Sequence, residues 1–299
     1  MQCQKTILLF IMRRFVLTLM TLVVMTACGP RWFYPQLDWL LPWYVSDYIS
    51  LDAHQHNELE IRLTRHLNWH CRTQLPEYAL FLRSVRADFE NPANPVTHGQ
   101  FERYLATLIQ YWKTLMAGIG PDAADILKTA SDKQIDELFD NLEEANQELE
   151  STYVDPAAEE ILQQRSERMV DRLARSLGDL TTTQQAAVRQ WSSDVGASNA
   201  DWIANRRHVQ QAFRALLAER RIDPAFKTRF TAMLTAPERQ RTEAYQAEVD
   251  RRTTLALNLL TGIAATMTDA QRRHFVDHLG SLAADFDKLA CTVAEKPSP

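Results

Sequence analysis

Two histidine pairs are the residues best spaced for chemistry. His66 and His70, and His274 and His278, each stand four apart. On a helix both rings of a pair would face one way and could ligate Zn²⁺ or Cu²⁺. Arg62 and Arg273 are poor neighbours for a cation, and no carboxylate or cysteine set completes either site. His274-Phe275-Val276-Asp277-His278 also lacks the glutamate that follows the first histidine of a zincin motif. Solvated or aromatic-packed histidines are the plainer reading, so no metal or cofactor is expected. Cys71 and Cys291 could bridge in an oxidising compartment or stay as two separate buried thiols, and spacing alone leaves both open. There is no nucleophile elbow, phosphate loop or paired-cysteine zinc pattern, and an enzyme is not expected. The acid-rich run from Asp136 to Glu150 reads as the wet face of an amphipathic helix.

The elements that would position these residues are helices. The 299 residues are 45% hydrophobic and 24% charged, with 8 Gly and 12 Pro, and no alternating strand pattern stands out. Short oxygen side chains stand three residues before glutamine at Asp52/Gln55, Ser131/Gln134, Thr181/Gln184 and Thr268/Gln271. That spacing is a capping box, which fixes where a helix starts and carries no chemistry of its own. Thr97 and Gln100 make a further box. The order of the boxes suggests a duplication. Leu138, Phe139, Leu142, Ala145 and Leu149 follow Ser131 at the offsets at which Phe275, Val276, Leu279, Leu282 and Phe286 follow Thr268. Leu82-Arg83-Ser84-Val85-Arg86 before Pro92 resembles Leu216-Leu217-Ala218-Glu219-Arg220 before Pro224.

The expected organisation is all-α, an elongated multi-helix array of two tandem units. Residues 51–155 form the first unit, 156–179 a joining helix, 180–292 the second unit, and 293–299 a disordered tail. In the first unit Pro76 is expected to kink or divide a long helix, and Gly118 with Gly120-Pro121 to end the next one. Phe101, Leu105, Leu108, Trp112 and Leu115 are expected on that helix's buried stripe.

Residues 1–27 read as a targeting segment. Arg13-Arg14 precedes the apolar run Phe15 to Met25, which is too short for a comfortable membrane span. Met12-Arg13-Arg14 would open an ordinary signal by itself, so Met12 is a candidate start. Met25-Thr26-Ala27-Cys28 resembles the lipobox of bacterial lipoproteins. That resemblance implies cleavage before Cys28, diacylation of its sulfur and acylation of its amine. Several chains hold a protein on a membrane where one would be marginal. Gly29, in place of an inner-membrane retention aspartate, points to the outer membrane of a Gram-negative envelope, with the body facing the periplasm. Cleavage would remove Lys5, Arg13 and Arg14 and no acid, taking the formal charge from −5 to −8, so nucleic acid is not an expected partner.

Residues 28–50 read as an aromatic-rich arm. Trp32, Phe33, Tyr34, Trp39, Trp43, Tyr44 and Tyr48 suit either an interfacial belt or an arm packed on the helical body. The added Leu37, Leu40 and Leu41 favour the packed arm. Gln36-Leu37-Asp38-Trp39-Leu40-Leu41-Pro42-Trp43-Tyr44 resembles an uncharacterised family of Gram-negative lipoproteins known only as a domain of unknown function; that likeness implies no activity.

A second resemblance lies further along. Ala236-Pro237-Glu238-Arg239-Gln240 through Phe286, with Met267-Thr268-Asp269-Ala270-Gln271 and the earlier Thr181 and Gln184, is similar to the Spy/CpxP (LTxxQ) periplasmic chaperone family. Asp52 and Ser131 replace that family's Thr in the first unit. The family forms antiparallel dimers shaped as a helical cradle that holds unfolded clients without ATP. Two units in one chain would make a single-chain version of that dimer. The expected function is therefore an envelope lipoprotein that binds proteins or peptides on a helical surface, as an ATP-independent chaperone. The alternative is a structural lipoprotein that tethers a partner complex at the outer membrane.

Overall fold

The computed structural model describes residues 30–294, except Pro92 and Asn94, with side chains through residue 290. Among these residues there is no strand, and the molecule is an all-α multi-helix array. The arm comprises α1 (Pro30–Phe33), a 3₁₀ turn (Tyr34–Gln36) and α2 (Leu37–Ser46). Then come α3 (Ala53–Glu90), α4 (His98–Thr129), α5 (Asp132–Tyr153) and α6 (Ala158–Leu177). The chain continues through α7 (Thr182–Val195), α8 (Ala200–Ala218), α9 (Phe226–Thr235), α10 (Glu243–Ala265) and α11 (Asp269–Ala294). Residues 295–299 of the expected tail, and the whole signal segment, lie outside the described residues.

The boxes start α3, α5, α7 and α11. The cap oxygens of Asp52, Ser131, Thr181 and Thr268 accept from the glutamine amides at 2.9, 3.2, 3.2 and 3.1 Å. Each glutamine Oε1 accepts in return from its cap N–H at 2.8–3.0 Å. The side-chain amides then pair across the molecule. Gln134 Nε2 donates to Gln55 Oε1 at 2.6 Å and Gln55 Nε2 to Gln134 Oε1 at 3.4 Å. Gln184 Nε2 donates to Gln271 Oε1 at 3.0 Å and Gln271 Nε2 to Gln184 Oε1 at 2.8 Å. The remaining N–H of each amide goes to Thr129 Oγ1, Ser50 O, Thr266 O or Asp179 O. A primary amide has two donors and two acceptor lone pairs, and all are used here. That is why these polar side chains can sit inside, with Gln184 only 1% exposed.

Packing then crosses the chain. The first long helix, α3, lies along the last, α11, and α4 lies on α9. α5 lies on α8, while α7 packs between α6 and α10. The principal partner of each long helix in 51–155 is thus a helix of 180–292, so the halves interleave. Leu138 and Phe139 of α5 meet Leu216 and Leu217 of α8 and Phe226 and Phe230 of α9 in one core cluster. Val85 and Phe89 of α3 meet Leu279 and Phe275 of α11 in another. Leu177, Leu180, Val188, Leu259 and Ile263 form a third around α7. Tyr34, Cys71, Leu75 and Leu289 form a fourth where the arm joins α3 and α11. Arg220, at the end of α8 and almost fully buried, donates to Ala130 O at 2.8 Å and pairs with Asp132. A cation there faces the negative end of α4.

Several expected breaks are absent. α3 runs unbroken through Pro76, and α4 through Gly118, Gly120 and Pro121. Each proline removes one backbone donor, but the buried rows continue across both. Cys71, Leu75 and Ala79 are buried at successive four-residue steps, as are Met116, Gly120 and Ala124. The glycines serve close approach. A Cβ on Gly118 would come within 3.0 Å of the Trp69 ring, and one on Gly120 within 3.0 Å of Thr231 Oγ1 of α9. Pro42 likewise sits inside α2 and is buried. The joint between α7 and α8 falls at Gly196, whose φ of +82° suits glycine, and α6 stops at Gly178 with φ +77°.

The amide pairs make a testable demand. Gln184→Glu keeps the shape but loses both donors and sets a carboxylate against Gln271 Oε1 and Thr266 O. The expected loss is about 3 kcal/mol, read by urea denaturation followed by circular dichroism. Wild-type stability at neutral pH would show that the pair contributes nothing.

Candidate functional site

The capping residues are brought together in two pairs, Asp52/Gln55 with Ser131/Gln134 and Thr181/Gln184 with Thr268/Gln271. Their hydrogen-bonding capacity is consumed within the fold, so they hold helix starts and offer little to a ligand. Cys28, the expected lipid site, lies outside the described residues.

The first histidine pair is divided between different partners. His66 Nε2 lies 2.7 Å from Asp122 Oδ2 of α4, and Arg62 and Arg65 also pair with that carboxylate. Burial pushes the Asp122 carboxyl up, but Arg65 and His66 outweigh it and hold the group below its ordinary value. His70 instead stacks on Tyr34, its Nδ1 2.9 Å from the phenol oxygen, and burial lowers its pKa. At the second pair, burial and then His274 lower the His278 pKa. Among the described residues, no group of three or more His, Cys, Asp or Glu side chains could hold a metal ion. Cys71 is buried and its Sγ donates to Ala290 O at 2.9 Å, on the turn of α11 that precedes Cys291. A Cys71–Cys291 bridge would involve a side chain outside the described residues.

What remains is surface. Two apolar sets are exposed, one on the arm, for which the sequence favoured packing, and one on α3 and α4. On the arm, Trp32, Phe33, Trp39, Leu41 and Tyr44 are exposed, Trp39 at 51% and Tyr44 at 54%. Tyr34, Leu37 and Tyr48 pack inward, so the arm is part packed and part bare. An open groove of about 950 Å³ runs between α2 and the start of α3, lined by Trp39, Pro42, Trp43, His56, Glu60 and Ile61 among others.

The second set is Leu80 of α3 with Leu108, Ile109 and Trp112 of α4. Leu108 and Trp112 were expected on the buried stripe, yet they are 52% and 49% exposed. Tyr104 and Tyr111 take the inward positions instead. The Tyr104 hydroxyl donates to Asp88, and the Tyr111 hydroxyl donates to Glu77 O at 3.1 Å. Tyr111 also packs on Tyr78 with ring centroids 4.7 Å apart. On α4, Leu108 stands one turn from Trp112, and Ile109 three residues before it, so these three side chains share a face. The Trp112 indole N–H donates to Leu234 O at 3.3 Å, which fixes the ring at the edge of α9. The missed signal was the tyrosine row beside the leucines, since a tyrosine can bury its ring and still find a partner for its hydroxyl.

The α5–α8 contact carries charge. Arg207 of α8 bridges Glu143 and Glu150 of α5, at 2.8 Å to each. Arg207, then Asn146, holds the Glu143 carboxyl at about 2. A depressed value contributes stability above the ordinary 4.5, and that contribution disappears as the pH falls toward 2. Wild type should therefore unfold at a higher urea midpoint than Glu143→Gln at neutral pH, with the gap closing through this acid window. A gap independent of pH would remove Glu143 from the acid sensitivity of the fold.

No curated protein and no solved structure matches the chain. A family model described as a family of unknown function (DUF6279) matches residues 47–246, from the end of the arm to the beginning of α10. That span takes in the first pair of boxes and the Thr181 box of the second. With two thirds of its length matched, the chain belongs to the DUF6279 family of unknown function.

Proposed function

We propose that this chain is an envelope lipoprotein that binds proteins or peptides on its helical surface as an ATP-independent periplasmic chaperone. The observation that carries the reading is the exposed face of α4 formed by Leu108, Ile109 and Trp112, with Leu80 exposed on the neighbouring α3. Large apolar side chains clustered on a folded surface mark a place where another apolar surface docks. The interleaved halves fit the expected single-chain counterpart of a Spy-like antiparallel dimer. Membrane attachment rests on the lipobox-like Met25-Thr26-Ala27-Cys28. No helix among the described residues is long and apolar enough to cross a membrane.

The tethering alternative is favoured by a different observation, the bare aromatic side chains of the arm. One experiment separates the two. A chemically unfolded client is diluted into the protein without ATP and light scattering is followed. The chaperone reading expects suppression near an equimolar ratio, lost in the Leu80→Ser/Leu108→Ser/Ile109→Ser variant with its unfolding free energy within about 1 kcal/mol of wild type. No suppression by a folded protein counts against it and leaves the tether. Attachment is checked separately in a Gram-negative host. Cys28→Ala should release the protein from the membrane fraction and abolish fatty-acid labelling; persistent labelling would exclude Cys28 as the site.

A further inference from the structure

We infer that the arm, residues 30–46, is an interfacial surface that lies on a lipid bilayer and sets how the body stands on it. The arm is fixed to the body from within. Tyr34 is buried beside His70 and in the core with Cys71, Leu75 and Leu289, and Pro42 is buried. Its exposed side chains are therefore presented by a held element. Trp32, Phe33, Trp39, Leu41 and Tyr44 are the kinds of residue that partition into the headgroup zone, with an apolar ring or branch inward and, for Trp and Tyr, a polar edge toward water. Arg31 is exposed but pairs with Asp285 of α11 at 3.9 Å, a further tie between the arm and the body.

The occupant follows from reach. Cys28 stands four residues before Trp32. Fully extended, four residues span at most about 14 Å. Given the proposed anchor, an acylated Cys28 would hold the arm at the membrane surface. A protein partner would have to compete with a bilayer already in contact. Charge narrows the prediction. Without residues 1–27 the formal charge is −8, so the chain gains nothing from anionic headgroups, and aromatic insertion must carry the contact. Binding should then be nearly indifferent to salt, unlike a polybasic contact, which salt screens.

The test uses the unlipidated chain from Gly29, which contains every described residue, so the anchor cannot supply the binding. It is sedimented with vesicles of phosphatidylethanolamine and phosphatidylglycerol, and tryptophan quenching by brominated lipid is read in parallel. The expected result is partitioning that persists at high salt and quenching that reports shallow insertion. Trp32→Ser/Trp39→Ser/Tyr44→Ser should weaken partitioning by roughly tenfold or more, whereas Leu108→Ser/Ile109→Ser on α4 should leave it unchanged. No partitioning above background, partitioning indifferent to the arm substitutions, or arm-dependent capture of a protein without lipid binding would each overturn the inference. Fatty-acid labelling of Cys28 in cells is a separate readout. Labelling with no vesicle binding rejects the arm and keeps the anchor; vesicle binding without labelling does the reverse.

Discussion

Two side-chain amides, face to face, are the constraint around which the array closes. A capping box alone fixes only the start of its own helix. Here the glutamine that reaches back to the cap also reaches across, and Gln184 meets Gln271 with both amides exchanging hydrogen bonds. The spare N–H groups bind Thr266 O and Asp179 O, the backbone just ahead of each box. Two helix starts and the turns before them are thereby locked in one register. Gln55 and Gln134 repeat the device with Ser50 O and Thr129 Oγ1. A buried polar network of this kind is stabilising only when complete, so each junction accepts very few alternative arrangements.

Given those two junctions, the interleaving follows. Each joins helices nearly eighty or ninety positions apart, and the helices that leave them pack across the halves. α3, the first helix of one half, lies along α11, the last of the other, and α5, the last of the first half, lies on α8 of the second. α4 and α9 meet in the middle, where Gly120 lets Thr231 approach. An exchange of this pattern is what two copies of one unit produce when they pair antiparallel, and it explains the core clusters that draw residues from both halves.

What could be read from the chain without its structure was what is local. A short oxygen side chain three residues before glutamine names a helix start from neighbouring residues alone. Matching offsets after Ser131 and Thr268 suggested a duplication, but the amide exchange that joins Gln55 to Gln134 and Gln184 to Gln271 is tertiary. The misreadings share one cause. Pro76, Gly120 and Pro121 break helices in isolation, whereas here buried rows at four-residue steps run through them and long-range packing prevails over propensity. Leu108 and Trp112 fit a helical stripe, but Tyr104 and Tyr111 hold the inward face because each finds a partner for its hydroxyl. The candidate surface was thus visible as residues and invisible as exposure.

The marriage of α3 to α11 also bears on how such a chain comes into being. Synthesis and any export proceed from the N-terminus, so Ala53–Glu90 emerges with its apolar face bare. The surface it needs arrives only with Asp269–Ala294, near the end. Until then Val85 and Phe89 have no Leu279 or Phe275 to cover them. A chain interrupted before its final helix therefore leaves its earliest one uncovered, and maturation becomes a nearly all-or-none event timed by the release of the last turn.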